Sequence, residues 1–299
     1  MELSQIYTLL VNVAAVLAFT MPIRFLLAKH LGVDAKAELD QTDNAAFGVA
    51  IGGGVLGLML MLTGVMSGEP MAVISEEILS LLVYGVLGSL LMIVGVLVQD
   101  KIVIRRVSLS DEIRKGNMAA ALVVAVNMTV IGLIAKKTIT WTHSDGLDGI
   151  FPVVVVFAVS QVVIALIAYL RMVIYAHRNK LNSKKGVAAA DTWHGALKAN
   201  NTAIALRYAG QLLATGIVIA ATSQLVDSAG SLAYVALTWG YTAIALTMTV
   251  WIGYRLFLPL ILFGINVVEE VDQQGNVGVA AVEAVLFIGV AFMVTAYFA

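Results

Sequence analysis

Asn44-Ala45-Ala46-Phe47-Gly48-Val49-Ala50-Ile51-Gly52 opens a long apolar run, and the same opening recurs at Asn117, Asn201 and Asn276. Two positions after each asparagine stands Ala46, Ala119, Ala203 or Gly278. Four after come Gly48, Ala121, Ala205 or Ala280, and eight after come Gly52, Ala125, Ala209 or Ala284. One helical unit has been used four times, and this repeat decides the architecture.

Each unit lies in an apolar stretch of about 20 residues, enough to cross a hydrocarbon core of roughly 30 Å as a helix. Eight such stretches are readable: 6–28, 44–66, 78–98, 117–135, 151–176, 201–222, 232–262 and 276–298. Of 299 residues, 60% are hydrophobic and 12% charged, well below the charge of a soluble domain. Spanning helices satisfy their own backbone hydrogen bonds, and the period-two alternation of a membrane barrel is absent. The prediction is an all-α, polytopic membrane helix bundle, its eight transmembrane helices arranged as four parallel-oriented helical hairpin repeats. Met1 to Gln5 carry no positive charge and the first apolar run is too long for a signal core, so no cleavable signal peptide is expected. With no cysteine there is no disulfide framework or thiolate chemistry, and a net charge of −1 gives no footprint for nucleic acid.

Lysine and arginine crowd three loops: Lys29 and Lys36; Lys101, Arg105, Arg106, Arg114 and Lys115; Arg178, Lys180, Lys184, Lys185 and Lys198. The opposite face has Lys136 and Lys137, beside an acidic turn at Glu69, Glu76 and Glu77. The positive-inside rule makes the basic loops cytoplasmic and both termini outside. All four asparagines then open a helix at the cytoplasmic side, as expected for hairpins related by an axis along the membrane normal. Arg24 and His30 near the end of the first span are matched by Arg171 and His177 near the end of the fifth. The chain thus divides into two four-helix halves, 1–150 and 151–299, the second with extra loop residues at about 182–192.

The small residues Gly48, Gly52, Ala121, Ala125, Ala205, Ala209, Ala280 and Ala284 form a helix-packing seam, which the second span extends with Gly53, Gly54 and Gly57, because small faces let membrane helices approach closely. The asparagines read as N-caps, accepting bonds from free N–H groups of the first turn. The acids Glu38, Asp111 and Glu270 precede them by six residues, where negative charge suits a helix N-terminus, while the third copy has Gly195. A ring of four asparagines holding an ion is the sharper alternative, and both readings stay open.

Ionisable groups inside apolar runs point most directly to function. Glu283 and Arg207 lie at matching depths in the eighth and sixth spans, which makes an ion pair a candidate. Arg207, Gln211 and Thr215 form a polar stripe, and Asn127 occupies in the fourth span the position of Gln211 in the sixth. Asn12 and Gln161 add polar groups in the first and fifth. These residues read either as interhelical hydrogen bonding or as a hydrated pathway. Arg24, Arg171 and Arg255 are expected to anchor to lipid phosphates near the cytoplasmic ends. The four histidines are too scattered for a metal site, and no cofactor motif is present, so metal: none and cofactors: none. An intramembrane enzyme would need paired acids, a serine–base pair or clustered histidines; Glu283 is the one acid deep in a span, so the chain is not expected to be an enzyme.

The motif Asp/Gly–Asn–x–small–x–small with an acid upstream resembles the YjfL-type bacterial inner-membrane proteins, domain of unknown function number 350. The stretches that carry it are 38–57, 111–132, 197–216 and 270–289. Short members have two hairpins, so this chain resembles a doubled form. The third copy departs from the motif, with Asn200 before its asparagine and Arg207 inside its helix. The resemblance implies a bacterial plasma-membrane protein and supplies no substrate or catalytic residues. The residues themselves favour a small-ion or small-solute channel or permease. The alternative is a non-transporting, oligomeric or stress-linked scaffold whose basic loops hold anionic lipid or a cytoplasmic protein partner. Homo-oligomers are expected in either case, from the small-residue faces.

Overall fold

A computed structural model describes residues 3–67, 74–142, 149–183, 192–227 and 230–298. Glu69, His143, Lys184, Lys185 and most of the loop at 182–192 lie outside the described residues, as do the side chains of Asn12 and Glu77. Among the described residues there are ten α-helices: α1 (Leu3–Leu31), α2 (Ala45–Met66), α3 (Ile74–Val98), α4 (Leu109–Arg114), α5 (Met118–Trp141), α6 (Ile150–Ser183), α7 (Trp193–Lys198), α8 (Thr202–Ala221), α9 (Leu232–Ile261) and α10 (Val277–Ala296). Eight of them, all but the short α4 and α7, are long and apolar enough to cross a membrane. Large apolar side chains stay exposed along their outer faces, as Met21 and Phe25 on α1, Val162 and Leu166 on α6, and Leu237 and Leu256 on α9. Such faces suit lipid, and the chain is a multi-pass membrane protein.

Each repeat asparagine caps its helix. The Oδ1 atoms of Asn44, Asn117, Asn201 and Asn276 accept from the backbone N–H of Phe47, Ala120, Ile204 and Val279, at 3.1, 3.0, 3.1 and 3.1 Å. The residue before each has positive φ: Asp43 at 48°, Gly116 at 78°, Asn200 at 56° and Gly275 at 69°. Glycine adopts this left-handed conformation freely, and Asn and Asp tolerate it better than other residues. Asn200 is therefore a chemical equivalent of the glycines in the other copies.

The upstream acids need a correction. Glu38 and Glu270 accept from the Nδ2 of Asn44 and Asn276, each at 2.7 Å, but Asn117 donates to Glu112 at 3.0 Å. Asp111 instead pairs with Arg114. The cause is a wider π-helical turn before the first and fourth asparagines, at Ala37–Gln41 and Glu269–Gln273, which adds one residue to the approach. The second and third copies approach through the ordinary helices α4 and α7. In the third copy Ala196, whose carbonyl accepts the Asn201 N–H at 3.0 Å, takes the place of the acid, and Gly195 does not.

The capped spanning helices stand in a row. α2 packs on α5, α5 on α8 and α8 on α10, while α2 and α10 are the ends and do not pack on each other. The asparagines follow this row and do not encircle an axis. Asn44 donates to the carbonyl of Ile113 at 3.0 Å and Asn117 to that of Leu197 at 2.9 Å, so each cap also ties its helix to the approach of the next. The middle helices are the most enclosed, with most residues of α5 and α8 buried, whereas α9 is largely exposed. On α2 the close contact runs through Gly53 and Gly57, the extension of the seam, and not through Gly48 and Gly52. A Cβ on Gly53 would collide with Ala125 and one on Gly57 with the Met128 carbonyl, whereas Gly52 is exposed and faces open space and Gly48 meets only the Leu39 side chain, at 3.7 Å. One residue is 100° of helix, so the shift from Gly52 to Gly53 turns the contact face by that much. In α8 and α10 Gly210 meets Ala284 in the same way. Ala121, Ala205 and Ala280 are fully buried, and Ala209 is half-buried.

Candidate functional site

Arg207 projects from the second turn of α8 toward α10. Its Nε donates to Glu283 Oε2 at 2.6 Å, one terminal nitrogen pairs with Asp272, and the other donates to the Val267 carbonyl at 3.1 Å. The Tyr254 hydroxyl of α9 donates to Glu283 Oε1. Both carboxylates are buried, at 2% exposure for Glu283 and 3% for Asp272. Such charges survive away from water only when paired and hydrogen-bonded, which the planar guanidinium fork arranges for two acids at once. Phe287 stacks on Tyr254 with ring centroids 3.7 Å apart and fixes the phenol over Glu283. Burial pushes the Asp272 carboxyl above its ordinary value, against the opposing charges of Arg207 and Arg178.

The network forms one wall of a partly open cleft of about 60 Å³ between α6, α8, α9 and α10. Gln211 lines it too. Arg171 also lines the cleft, which overturns the expectation that it anchors to lipid phosphates. It is 8% exposed and donates to the Gln211 carbonyl and to Thr215 Oγ1, each at 3.2 Å. The stem of α6 packs against α8, so the guanidinium is held inside the bundle and cannot reach outward. Arg255 is exposed at the rim, and Arg24 lies over the Phe25 ring at 4.7 Å. Tyr208 borders the cleft as well, and its hydroxyl accepts from Gln99 of the first half at 3.0 Å.

Of the residues singled out from sequence, Glu283, Arg207 and Gln211 line this cleft, and Thr215 stands behind it, bonded to Arg171. Asn127 does neither: it is buried elsewhere and donates to the Gly95 carbonyl of α3 at 3.2 Å. Gln161 is buried in α6, apart from the cleft lining. Asp272 and Tyr254 were missed. Asp272 left a trace, because Glu270-Val271-Asp272-Gln273 repeats Glu38-Leu39-Asp40-Gln41 at the same distance before an asparagine. Among the described residues no group of histidines and acids is placed to hold a metal ion.

The family model described as Domain of Unknown Function (DUF350) matches residues 1–139 and again 145–298. The chain belongs to that family, as a doubled form. Each copy of the domain spans four of the membrane helices. No curated protein and no solved structure matches the chain.

Proposed function

We propose that this doubled DUF350 protein moves a small ion or solute across a bacterial inner membrane, through the second half. We read the chain as four hairpins of like orientation, with basic loops inside and both termini outside. The observation that carries the reading is Arg207 held between Glu283 and Asp272 on the wall of a partly open cleft. Burying three charges beside lipid is expensive, and at the positions of Arg207 and Glu283 the first half packs Ala50 and Val124 instead. Glu283, Arg207, Gln211 and Thr215 are the residues on which the reading rests. Asn127 serves helix packing.

The test is flux in proteoliposomes of protons, sodium, potassium and phosphate, with wild type beside Glu283→Gln. The glutamine keeps its hydrogen-bonding partners and removes the charge. Altered flux in a correctly inserted mutant supports transport. No flux of any of these from either protein overturns it.

One observation favours the scaffold reading as second choice. The row is open at both ends, and Gly52 on α2 and Gly289 on α10 face open space from exposed positions. Small faces of this kind pair membrane helices, so a second copy could extend the row. Crosslinking through Gly52→Cys in native membranes tests this reading, since the chain has no other cysteine.

A further inference from the structure

We propose that the cleft of the second half binds a phosphate group, carried either by a small solute or by a lipid headgroup. The proposal rests on the reading of this cleft as the functional site and adds the class of ligand.

The first argument is charge. Arg171, Arg178, Arg207 and Arg255 line the cleft against two acids, Asp272 and Glu283. Both acids pair with Arg207. Among the described residues Arg171, Arg178 and Arg255 have no carboxylate within ion-pair distance. Arginine keeps its proton at any physiological pH, so three positive charges remain to be balanced. Three guanidinium groups around one space suit a tetrahedral dianion, whose oxygens can be met from several sides.

The second argument is an unfilled donor. Arg171 is more than nine-tenths buried, and its Nε has no hydrogen-bond partner. A buried cation with an idle donor carries a desolvation cost that an arriving oxyanion would offset.

The third is space. About 60 Å³ is several times the roughly 10–15 Å³ that one water needs, and Trp251, Trp193 and Phe287 supply apolar walls that exclude bulk water.

The fourth is the first half, where two of the matching positions lack this charge. Leu31 follows His30 where Arg178 follows His177, and Val96 stands as far before Asn117 as Arg255 before Asn276. Arg171 has a counterpart in Arg24, so Arg178 and Arg255 are the cations added to the shared framework.

The experiment uses the purified full chain in nanodiscs of phosphatidylcholine, reading the fluorescence of Trp251 and Trp193 during titration with inorganic phosphate at constant ionic strength. A second set of discs contains phosphatidylglycerol. A saturable change with phosphate is expected, weakened roughly tenfold or more by Arg171→Gln or Arg255→Gln and unchanged by Arg24→Gln. Arg255 is exposed, so its variant keeps the test valid if Arg171→Gln fails to fold. A signal only in the phosphatidylglycerol discs, lost in Arg255→Gln, assigns the site to a headgroup. No response to either, or variants that respond like wild type, overturns the site. Saturable binding with no flux in proteoliposomes overturns transport and leaves the site standing. Flux with no phosphate response does the reverse.

Discussion

The two halves of this protein share a framework and differ in what they enclose. In the first, a pocket of about 30 Å³ is lined by Ile23, Leu26, Leu27, Met92, Ile93, Val96 and Met128, with His30 and Ser89 at its edge. In the second, the corresponding space holds the arginine and acid network. The correspondence is positional. Trp251 and Met92 stand equally far before their asparagines, and Phe287 and Met128 equally far after. Arg207 and Glu283 fall where the first half has Ala50 and Val124, both buried, while the extra residue of the π-helical turn puts Val271 in the buried place of Ile113 and leaves Asp272 beside it. Capping and close helix contact therefore fix the architecture in both halves. Arg207 and Glu283 put charge where the first half has apolar side chains.

The largest effect should come from breaking the charged half alone. Arg207→Ala leaves Glu283 and Asp272 buried without their cation, at a cost of about 3–5 kcal/mol. Replacing Arg207 and Glu283 by their first-half counterparts, Arg207→Ala with Glu283→Val, and removing the remaining charge with Asp272→Asn, should recover most of that loss, because no buried charge is then left without its partner. Thermal unfolding in detergent checks both, and a triple variant no more stable than Arg207→Ala would sink the equivalence of the halves. Under the transport reading the triple variant should insert normally and carry no flux.

Next comes what the halves share. Gly53 on α2 meets Ala125 on α5, and Gly210 on α8 meets Ala284 on α10, at matching repeat positions. A methyl group at either glycine would strike a neighbouring backbone, so Gly53→Ala and Gly210→Ala should each cost about 1–3 kcal/mol. Gly52→Ala should be neutral or stabilising by up to about 1 kcal/mol, since it faces open space and alanine favours helix. Equal effects at Gly52 and Gly53 would undo the assignment of the contact face.

These contrasts mark where sequence was legible. The eight spans and the caps could be read because lipid demands long apolar helices and an open N-terminus demands an acceptor. Equal depth makes Glu283 and Arg207 a candidate pair, but the 100° helical step sets Arg207 nearly opposite its own seam, so sequence does not decide between pairing and reaching for the headgroups. Asp272 was hidden because it lies in a π-helical turn outside any apolar run. Its twin, Asp40, is exposed, so the repeated motif alone does not tell a buried acid from a solvated one. Arg171 was misjudged because an arginine near a helix end ordinarily reaches for headgroups, and only packing of α6 on α8 turns it inward. In α2 the glycine run covers two adjacent faces, and sequence spacing alone does not tell which of them makes the contact.

The caps should rank by burial. Asn117 is 4% exposed and holds Ala120, Glu112 and the Leu197 carbonyl together, whereas Asn276 is exposed. Asn276→Ala should cost about 1 kcal/mol, the ordinary value of a lost cap. Asn117→Ala should cost about 2 kcal/mol or more, because it also takes a donor from the buried Glu112 carboxylate, which keeps Lys115, and from the Leu197 carbonyl. Indistinguishable melting temperatures for the two variants would mean that the tie between neighbouring repeats contributes nothing.

The smallest effect concerns pH, where the two halves should slope in opposite directions. Burial would raise the Glu112 carboxyl, but hydrogen bonds from Asn117 and Lys115, with the charges of Lys115 and Lys198, hold it below its ordinary value. Its contribution is therefore full above the usual glutamate range and is lost as pH falls through the lowered value. Asp272 lies above its ordinary value because burial outweighs Arg207 and Arg178. Its contribution is full below the usual aspartate range and is lost as pH rises through the raised value. Each slope is bounded at about 1.4 kcal/mol per pH unit for one group. Melting temperatures taken across the acid range should show Glu112→Gln flattening the loss on acidification and Asp272→Asn flattening the loss on neutralisation. If both substitutions changed the profile in the same sense, the opposed environments of these two acids, one before the cap of α5 and one before the cap of α10, would have to be abandoned.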